Sequence, residues 1–218
     1  MEFNKLFDHT LLKPEATSEQ IKKLCAEAKE LNTMSVCVNP CMVALAAKEL
    51  AGSDVKVCTV IGFPLGATTT EIKVAEVKKA IEDGATEVDM VINLGWVKEG
   101  RYEDIKNEVA ALKKAAGNNI LKNILECCLL SDEEIRLSCI ATKEGGADFV
   151  KTSTGFSKGG ATVHDVEIMR EAVGPDFGVK AAGGIHTLAQ AEALVKAGAN
   201  RLGCSASVAI MAEYKAQR

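Results

Sequence analysis

Short apolar runs alternate with longer amphipathic stretches along the whole sequence. The apolar runs, such as residues 55–61 and 87–92, are rich in Val and Ile and stop at glycine or asparagine. This pattern is typical of strands that are buried on both faces of a parallel sheet. The stretches between them, such as residues 21–31 and 70–81, carry apolar residues at helical spacing. The pattern therefore predicts a regular alternation of strands and helices.

Polar motifs mark where the helices begin. Thr17 with Gln20, and Ser131 with Glu134, have the spacing of a capping box, and Thr187 opens a further helix. The predicted strands cover residues 6–12, 34–38, 55–61, 87–92, 120–125, 148–152, 178–182 and 201–204. The predicted helices cover residues 17–31, 42–50, 70–81, 102–116, 131–144, 163–173 and 187–197, and a last one starts at Ser205.

Eight strand–helix units imply a parallel sheet that is covered by helices. We expect a closed (β/α)8 TIM barrel, formed as a single domain by residues 1–218. A doubly wound open sheet is the alternative. No G-x-G-x-x-G motif follows the first strand, however, and the number of units suits closure.

Composition and charge exclude several classes of protein. The 218 residues carry a formal net charge of −4 without a basic block, so we expect no nucleic-acid partner. No apolar run is long enough to span a bilayer, and the first residues do not resemble a signal peptide, so we expect a cytoplasmic protein without membrane partners. The eight cysteines form no C-x-x-C pair and the three histidines are scattered, which indicates free thiols rather than a zinc site.

Charged residues interrupt four of the predicted strands. Asp89, Lys122, Lys151 and Lys180 lie on strands 4 to 7. Ionised groups are costly to bury unless they are paired. A structural ion-pair network is one interpretation. Because the carboxyl ends of barrel strands converge on the active site, a catalytic constellation is the interpretation we favour.

Two lysines and a carboxylate suit Schiff-base chemistry. A lysine amine must be neutral to attack a carbonyl group. Lowering an ordinary lysine pKa of about 10.4 to about 7 requires roughly 4.6 kcal/mol of destabilisation of the ammonium form. Burial and a neighbouring cation both contribute to this, and a carboxylate can transfer protons. A class I, metal-free aldolase and a Schiff-base dehydratase both fit.

Glycine-rich loops follow strands 6, 7 and 8. Phosphate often binds after strands 7 and 8 of a barrel, where backbone N–H groups can approach the anion. The candidate residues here are Gly183, Gly184, Gly203 and Ser205, with Thr154 and Gly155 as further donors. Tight turns and helix caps would equally account for these loops.

Six segments carry a resemblance to a known family. They are FDHTLLK (7–13), SVCVNP (35–40), VIGFPLG (60–66), EVDMVIN (87–93), KTSTGF (151–156) and KAAGGI (180–185). In order and over essentially the whole chain, they resemble the deoxyribose-phosphate aldolase family. The resemblance implies reversible cleavage of 2-deoxy-D-ribose 5-phosphate to D-glyceraldehyde 3-phosphate and acetaldehyde, without a metal or organic cofactor and in a homodimer.

The resemblance also assigns roles to residues. It implies that Lys151 forms the Schiff base, that Lys180 is the cation favouring a neutral amine there, and that Asp89 relays protons. Asp8, Thr10, Cys37 and Lys122 would line or order the site. The phosphate would be held by Gly155, Gly183, Gly184, Gly203 and Ser205. The rival hypotheses are a Schiff-base lyase acting on another phosphorylated aldehyde and a non-catalytic sugar-phosphate-binding barrel.

Three residues depart from the family pattern. Asn123 stands where an apolar strand residue is usual, Cys127 where threonine is common, and Cys204 where threonine or alanine is more usual. We expect Cys127 to alter hydrogen bonding around the site. Some members carry a longer tail ending in tyrosine; the present sequence ends at Gln217-Arg218, and no tail residue is assigned a role.

Overall fold

Eight parallel strands pair in the order of the chain and close into a barrel. The structure is a computed structural model that describes residues 2–217. β1 pairs with β8, where Phe7 lies opposite Leu202, and this pairing closes the sheet. The strands are β1 (Phe7–Leu11), β2 (Ser35–Val38), β3 (Lys56–Ile61), β4 (Glu87–Val91), β5 (Ile120–Ile124), β6 (Phe149–Lys151), β7 (Gly178–Ala182) and β8 (Arg201–Cys204). The predicted barrel is thereby confirmed, and the open sheet is excluded.

Helices surround the strands. They are α1 (Ser18–Leu31), α2 (Val43–Glu49), α3 (Thr70–Glu82), α4 (Leu94–Lys98), α5 (Tyr102–Ala116), α6 (Asp132–Glu144), α7 (Val163–Val173), α8 (Leu188–Lys196) and α9 (Ser207–Ala216). Short 3-10 turns lie at Phe3–Leu6, Pro40–Met42 and Cys127–Leu129. None of the helices within residues 2–217 is both long and apolar enough to cross a membrane.

The capping motifs begin the helices where the sequence predicts. The side chains of Thr17 and Ser131 each accept a hydrogen bond from the backbone N–H three residues later. The side chains of Gln20 and Glu134 accept one in turn from the backbone N–H of Thr17 and Ser131. The predicted start of the last helix at Ser205 is wrong, because α9 begins at Ser207. The sequence pattern does not predict α4, because five residues are too few for helical spacing to register.

The two faces of each strand meet different surroundings. On β4, Val88 and Met90 belong to the apolar core between the strands and the helices. Glu87 and Asp89 alternate with them and point into the barrel, where they meet charged partners. Barrel interiors are usually filled by Val, Ile and Leu. The interior of this barrel is instead largely ionic, and a small apolar cluster of Leu12, Cys37, Cys58 and Val60 fills one side.

Candidate active site

Asp89 is the centre of the charged interior. Its Oδ2 lies 2.8 Å from the Nζ of Lys151 and 2.7 Å from the Nζ of Lys180. Its Oδ1 lies 2.8 Å from the Nζ of Lys122. One buried carboxylate therefore contacts three lysines from three strands, and these are the four residues that the sequence predicts to converge.

A second set of charges lies around this centre. Asp8 Oδ2 is 2.5 Å from Lys180 Nζ, and Asp8 Oδ1 is 2.7 Å from a guanidinium nitrogen of Arg201. Glu87 Oε2 is 2.6 Å from Lys122 Nζ and 3.0 Å from Arg201. The interior thus holds an ionic network whose members are Asp8, Glu87, Asp89, Lys122, Lys151, Lys180 and Arg201.

Strand register brings these residues together. Asp89 lies beside Lys122 across β4 and β5, and Lys151 lies beside Lys180 across β6 and β7. Lys180 is in turn beside Arg201 on β8. Because side chains alternate between the two faces of a strand, neighbouring residues in register point to the same side. Parallel pairing in a closed barrel therefore directs all of them inward.

The carboxylates of Asp89 and Asp8 are both held ionised. Burial alone would raise the pKa of Asp89, but the nearby ammonium groups, that of Lys122 most of all, outweigh it and place the pKa well below its usual range. Burial likewise opposes ionisation of Asp8, and Arg201 and Lys180 outweigh it, so the pKa of Asp8 also lies below its usual range. The two carboxylates are anions at neutral pH.

Two of the lysines are held as cations. Burial alone would lower the pKa of Lys180, but Asp8 and Asp89 outweigh it, and the pKa lies above its ordinary value. The same balance, with Asp89 and Glu87 as partners, places the pKa of Lys122 well above its ordinary value. Lys180 is therefore a permanent cation that shares one carboxylate oxygen with Lys151.

Lys151 is the network member that meets open space. It lines a cavity of about 470 Å³ at the carboxyl ends of the strands. No aspartate or glutamate is among the described residues that line this cavity, whereas Lys13 and His186 are. The remaining lining residues are Thr10, Leu11, Leu12, Thr154, Gly155, Phe156, Ala182, Gly183, Gly184, Ile185, Gly203, Cys204 and Ser205. The cavity suits a substrate that carries an anionic group.

Two glycines have specific reasons to be glycine. Gly183 has φ of 87°, and a Cβ there would lie 3.1 Å from the Cα of Gly160. The loop after β7 therefore requires a residue without a side chain. At Gly203 a Cβ would lie 2.9 Å from the Cε of Lys180. Gly203 thus makes room for the lysine as well as lining the cavity.

Most of the predicted binding residues reach the cavity, but not all of them. Thr10, Thr154, Gly155, Gly183, Gly184, Gly203 and Ser205 line it. Asp8, Cys37 and Lys122 are fully buried in the interior and do not line the cavity. Ser205 is exposed and lies two residues before α9, so it does not begin the helix as the sequence predicts.

Several residues of the site were not predicted from the sequence. Glu87 and Arg201 complete the network, Ser35 donates a hydrogen bond of 2.7 Å to Asp8 Oδ1, and the Cys58 thiol lies 3.2 Å from Asp89 Oδ1. Alternation along β4 could have found Glu87, which lies two residues before Asp89 and shares its face. Lys13 gives no signal of its own, because exposed lysines are common.

The three residues that depart from the family pattern, Asn123, Cys127 and Cys204, make different contacts. The side-chain amide of Asn123 donates a buried hydrogen bond of 2.8 Å to Thr142 on α6. The sulfur of Cys127 lies 3.9 Å from that of Met169. Cys204 lies 3.4 Å from the hydroxyl of Ser207. Asn123 and Cys127 thus contact the helices, whereas Cys204 lines the cavity.

Three donor atoms within the site lie close enough for a metal ion. They belong to Cys37, Cys58 and Asp89, and all lie within 4.8 Å of one another. The oxygens of Asp89 already accept contacts from three ammonium groups, which repel a further cation. The donor set is therefore a poor match for a divalent metal.

Comparisons with known proteins agree with this geometry. Residues 4–212 match the family described as DeoC/LacD family aldolase. The chain is 59% identical over 218 residues to "Deoxyribose-phosphate aldolase" of Clostridium novyi (strain NT), covering 100% of this chain and 98% of the relative. It is 59% identical over 211 residues to the protein of the same name from Streptococcus gordonii, covering 97% of this chain and 96% of the relative.

A solved structure agrees as well. It is described as the unique tetrameric structure of deoxyribose phosphate aldolase from Aeropyrum pernix and superposes with a TM-score of 0.92 at 33% identity. The match covers 99% of this chain and 92% of that chain. Sequence, fold and site lead to the same conclusion: the chain belongs to the DeoC/LacD family of aldolases.

Proposed function

We propose that this aldolase catalyses the reversible cleavage of 2-deoxy-D-ribose 5-phosphate to D-glyceraldehyde 3-phosphate and acetaldehyde. The observation that carries the proposal is the position of Lys151. Lys151 lines the cavity, and its amine shares Asp89 Oδ2 with the cation Lys180. The reaction proceeds through a Schiff base on this lysine.

Each step of the cleavage takes place on the Schiff base that Lys151 forms. The neutral amine adds to the aldehyde carbon C1, the carbonyl oxygen takes up protons and leaves as water, and an iminium ion forms. The C2–C3 bond then breaks as the C3 hydroxyl loses its proton, and the bonding pair moves into the iminium to give an enamine. Protonation of C2 and addition of water release acetaldehyde and restore the amine.

Asp89 and Lys180 supply the surroundings of these proton transfers. The carboxylate of Asp89 contacts the amines of Lys151 and Lys180 and is ionised, so it can relay the proton that Lys151 releases and takes up while Lys180 stays protonated. Three carboxylates face four cationic side chains in the interior. If Lys151 is neutral, the remaining three cations match the three carboxylates, so loss of its proton leaves the network electrically balanced.

The composition of the cavity walls supports a phosphate site. The loops after β6, β7 and β8 bring glycine backbones to one side of the cavity, beside Ser205. Backbone N–H groups in such loops bind anions, and Lys13 adds positive charge. We place the phosphate between Gly183, Gly184 and Ser205, which leaves the aldehyde end of the substrate for Lys151.

A coupled assay of D-glyceraldehyde 3-phosphate release, run with a chelator present, tests the function. Cleavage of 2-deoxy-D-ribose 5-phosphate at an undiminished rate is the expected result. Turnover that needs a metal, or that occurs only with another phosphorylated sugar, would contradict the proposal.

The variant Ser205→Glu tests the phosphate site in the same assay. A carboxylate beside the phosphate should raise KM for the phosphorylated substrate about tenfold. Cleavage of unphosphorylated 2-deoxy-D-ribose should change little, which serves as the control. An unchanged KM for the phosphorylated substrate would remove Ser205 from the site.

We further propose that the chain acts as a homodimer in the cytoplasm during deoxyribonucleotide breakdown. All eight cysteines are free thiols, which suits a reducing compartment. The relative from Aeropyrum pernix is described as tetrameric, so sedimentation analysis should distinguish a dimer from a tetramer. A monomer or a tetramer at micromolar concentration would contradict the dimer.

A further inference from the structure

Arg201 and Glu87 lie in the barrel interior but do not contact Lys151. Arg201 lies 2.7 Å from Asp8 and 3.0 Å from Glu87, and Glu87 lies 2.6 Å from Lys122. Both are nearly inaccessible to solvent. Neither reaches the cavity, so neither can touch a substrate bound there.

The contacts of the four cations are unequal. Lys122, Lys180 and Arg201 each contact at least two carboxylates. Lys151 contacts Asp89 alone, and it shares that carboxylate with two other lysines. Among the described residues, Lys151 is therefore the cation of the network that is held least firmly.

We infer that Arg201 and Glu87 are positioning residues that set the proton state of Lys151 through the net charge of the interior. Arg201 supplies a positive charge that helps to balance the three carboxylates, which favours the neutral form of Lys151. Glu87 supplies a negative charge that opposes this effect. The inference rests on the proposed Schiff-base role of Lys151.

The balance involves the ionisable groups that the strands carry into the interior. They are Asp8 on β1, Cys37 on β2, Cys58 on β3, Glu87 and Asp89 on β4, Lys122 on β5, Lys151 on β6, Lys180 on β7 and Arg201 on β8. Lys13, His186 and Cys204 line the cavity, and Glu126 is buried two residues after β5, where it contacts Thr154; all four are left unchanged in every variant. Burial raises the pKa of the Cys58 thiol, which stays neutral.

One thiol needs a control. The hydrogen bond with Cys58 lowers the pKa of Cys37, so ionisation of this thiol has to be kept apart from that of the amine. All measurements are therefore made in a Cys37→Ser background. The remaining pH dependence then reports the amine rather than the thiol.

The experiment follows adduct formation with acetaldehyde and cyanoborohydride as a function of pH. The readout is the pH at which the trapping rate on Lys151 is half-maximal. Arg201→Gln removes a positive charge, so the midpoint should move up by roughly one pH unit, since buried charges about 10 Å apart still interact by that amount. Glu87→Gln removes a negative charge, so the midpoint should move down by a similar amount.

Two further variants separate charge from structure. The double variant Glu87→Gln with Arg201→Gln should return the midpoint close to that of the Cys37→Ser parent, because the two changes cancel. Glu108→Gln disrupts a buried ion pair outside the barrel, where Glu108 lies 2.8 Å from Lys73, and should leave the midpoint in place. A merely structural role for Arg201 and Glu87 would not give shifts of opposite sign.

The outcomes are distinct. Opposite shifts that cancel in the double variant support the inference. Shifts of the same sign, or unmoved midpoints with trapping intact, overturn it and leave the proposed function standing. If Arg201→Gln does not fold, Glu87→Gln decides alone, since an upward or absent shift overturns the inference. Absence of trapping in the unmodified protein overturns the proposed function, and the inference with it.

Discussion

Two buried ionic clusters in this protein contrast in their arrangement. Between α3 and α5, Lys73 lies 2.8 Å from Glu108 and donates a hydrogen bond of 2.9 Å to the carbonyl of Val91. Thr70 donates a further bond of 3.1 Å to Glu108. This cluster pairs one cation with one carboxylate. Inside the barrel, by contrast, four cations share three carboxylates.

The pKa values differ in the same way. Burial lowers the pKa of Lys73, and its ion-pair partner Glu108, with a smaller contribution from Glu76, does not fully offset this. Lys180 is buried as completely, yet two carboxylates raise its pKa above the ordinary value. The number of carboxylate partners therefore decides whether the pKa of a buried lysine is lowered or raised here. A network with one surplus cation can release a proton, whereas a single pair cannot do so without losing its attraction.

The largest expected effect is on catalysis. Lys151→Ala removes the nucleophile, and kcat for cleavage of 2-deoxy-D-ribose 5-phosphate should fall by more than about 10⁴-fold. Lys73→Ala, which removes the other kind of buried lysine, should retain kcat per folded molecule. The coupled assay measures both variants, and equal losses of kcat would abolish the contrast.

The next effect is on stability. Lys73→Ala leaves Glu108 buried without its partner, which should lower the free energy of unfolding by about 3–5 kcal/mol. Replacing both residues, as Lys73→Met with Glu108→Leu, should recover most of this loss because no unpaired charge remains. Urea denaturation gives both values. A double variant as unstable as Lys73→Ala would show that the pair stabilises the fold by more than the mutual compensation of its two charges.

Removal of Lys180 should alter the pH dependence of catalysis. Lys180→Met takes away the cation that shares Asp89 with Lys151, so the proton on the nucleophile is held more tightly. The rising limb of the pH–rate profile should therefore move up by about one pH unit or more. Lys73→Met is the control and should leave the profile unmoved. An unchanged profile in Lys180→Met would remove Lys180 from this role.

The smallest expected effect is the pH dependence of stability. The lowered pKa values of Asp8 and Asp89 add stability that is complete above their ordinary value of 3.8 and is lost as pH falls below it. The raised pKa values of Lys122 and Lys180 add stability that is complete below 10.5 and is lost as pH rises above it. The urea midpoint should thus be flat between about pH 5 and 9 and fall on both sides.

Lys73 should act in the opposite sense in the alkaline range. Because its pKa is lowered on folding, the unfolded chain binds more protons there, and this residue contributes stability that rises with pH. The double variant Lys73→Met with Glu108→Leu should therefore lose stability more steeply in alkali than the parent. A shallower loss would contradict the assignment of the two clusters.

Strand alternation is the reason why much of this could be predicted from the sequence. A lysine in an apolar strand stands out, so Lys122, Lys151 and Lys180 were found together with Asp89. Glu87 and Arg201 were missed because they begin their strands, where a charged residue also fits a solvated boundary. Lys73 was missed because a lysine on an amphipathic helix is usually exposed, and only packing of α3 against α5 buries it.

The spacing of residues along the sequence predicts some features of the cavity loops but not others. The loop glycines after β7 were found because a glycine pair directly after a strand is typical of a tight turn, where backbone N–H groups are accessible. The start of α9 lies two residues later than predicted because Ser205 is a favourable cap by residue type, whereas the residue at the cap position is Ala206, which has no side chain that can cap the helix. Cys37, which the resemblance implies would line or order the site, packs against Cys58 and Val60 of the neighbouring strand, a contact that local spacing could not predict.

The most direct test of the surplus-cation account is to identify which amine reacts. The protein is incubated with acetaldehyde, reduced with borohydride and mapped by peptide mass spectrometry. The account predicts an ethyl group on Lys151, with Lys122 and Lys180 unmodified although they contact the same carboxylate. Modification of Lys122 or Lys180 in place of Lys151, or no modification at all, would contradict it.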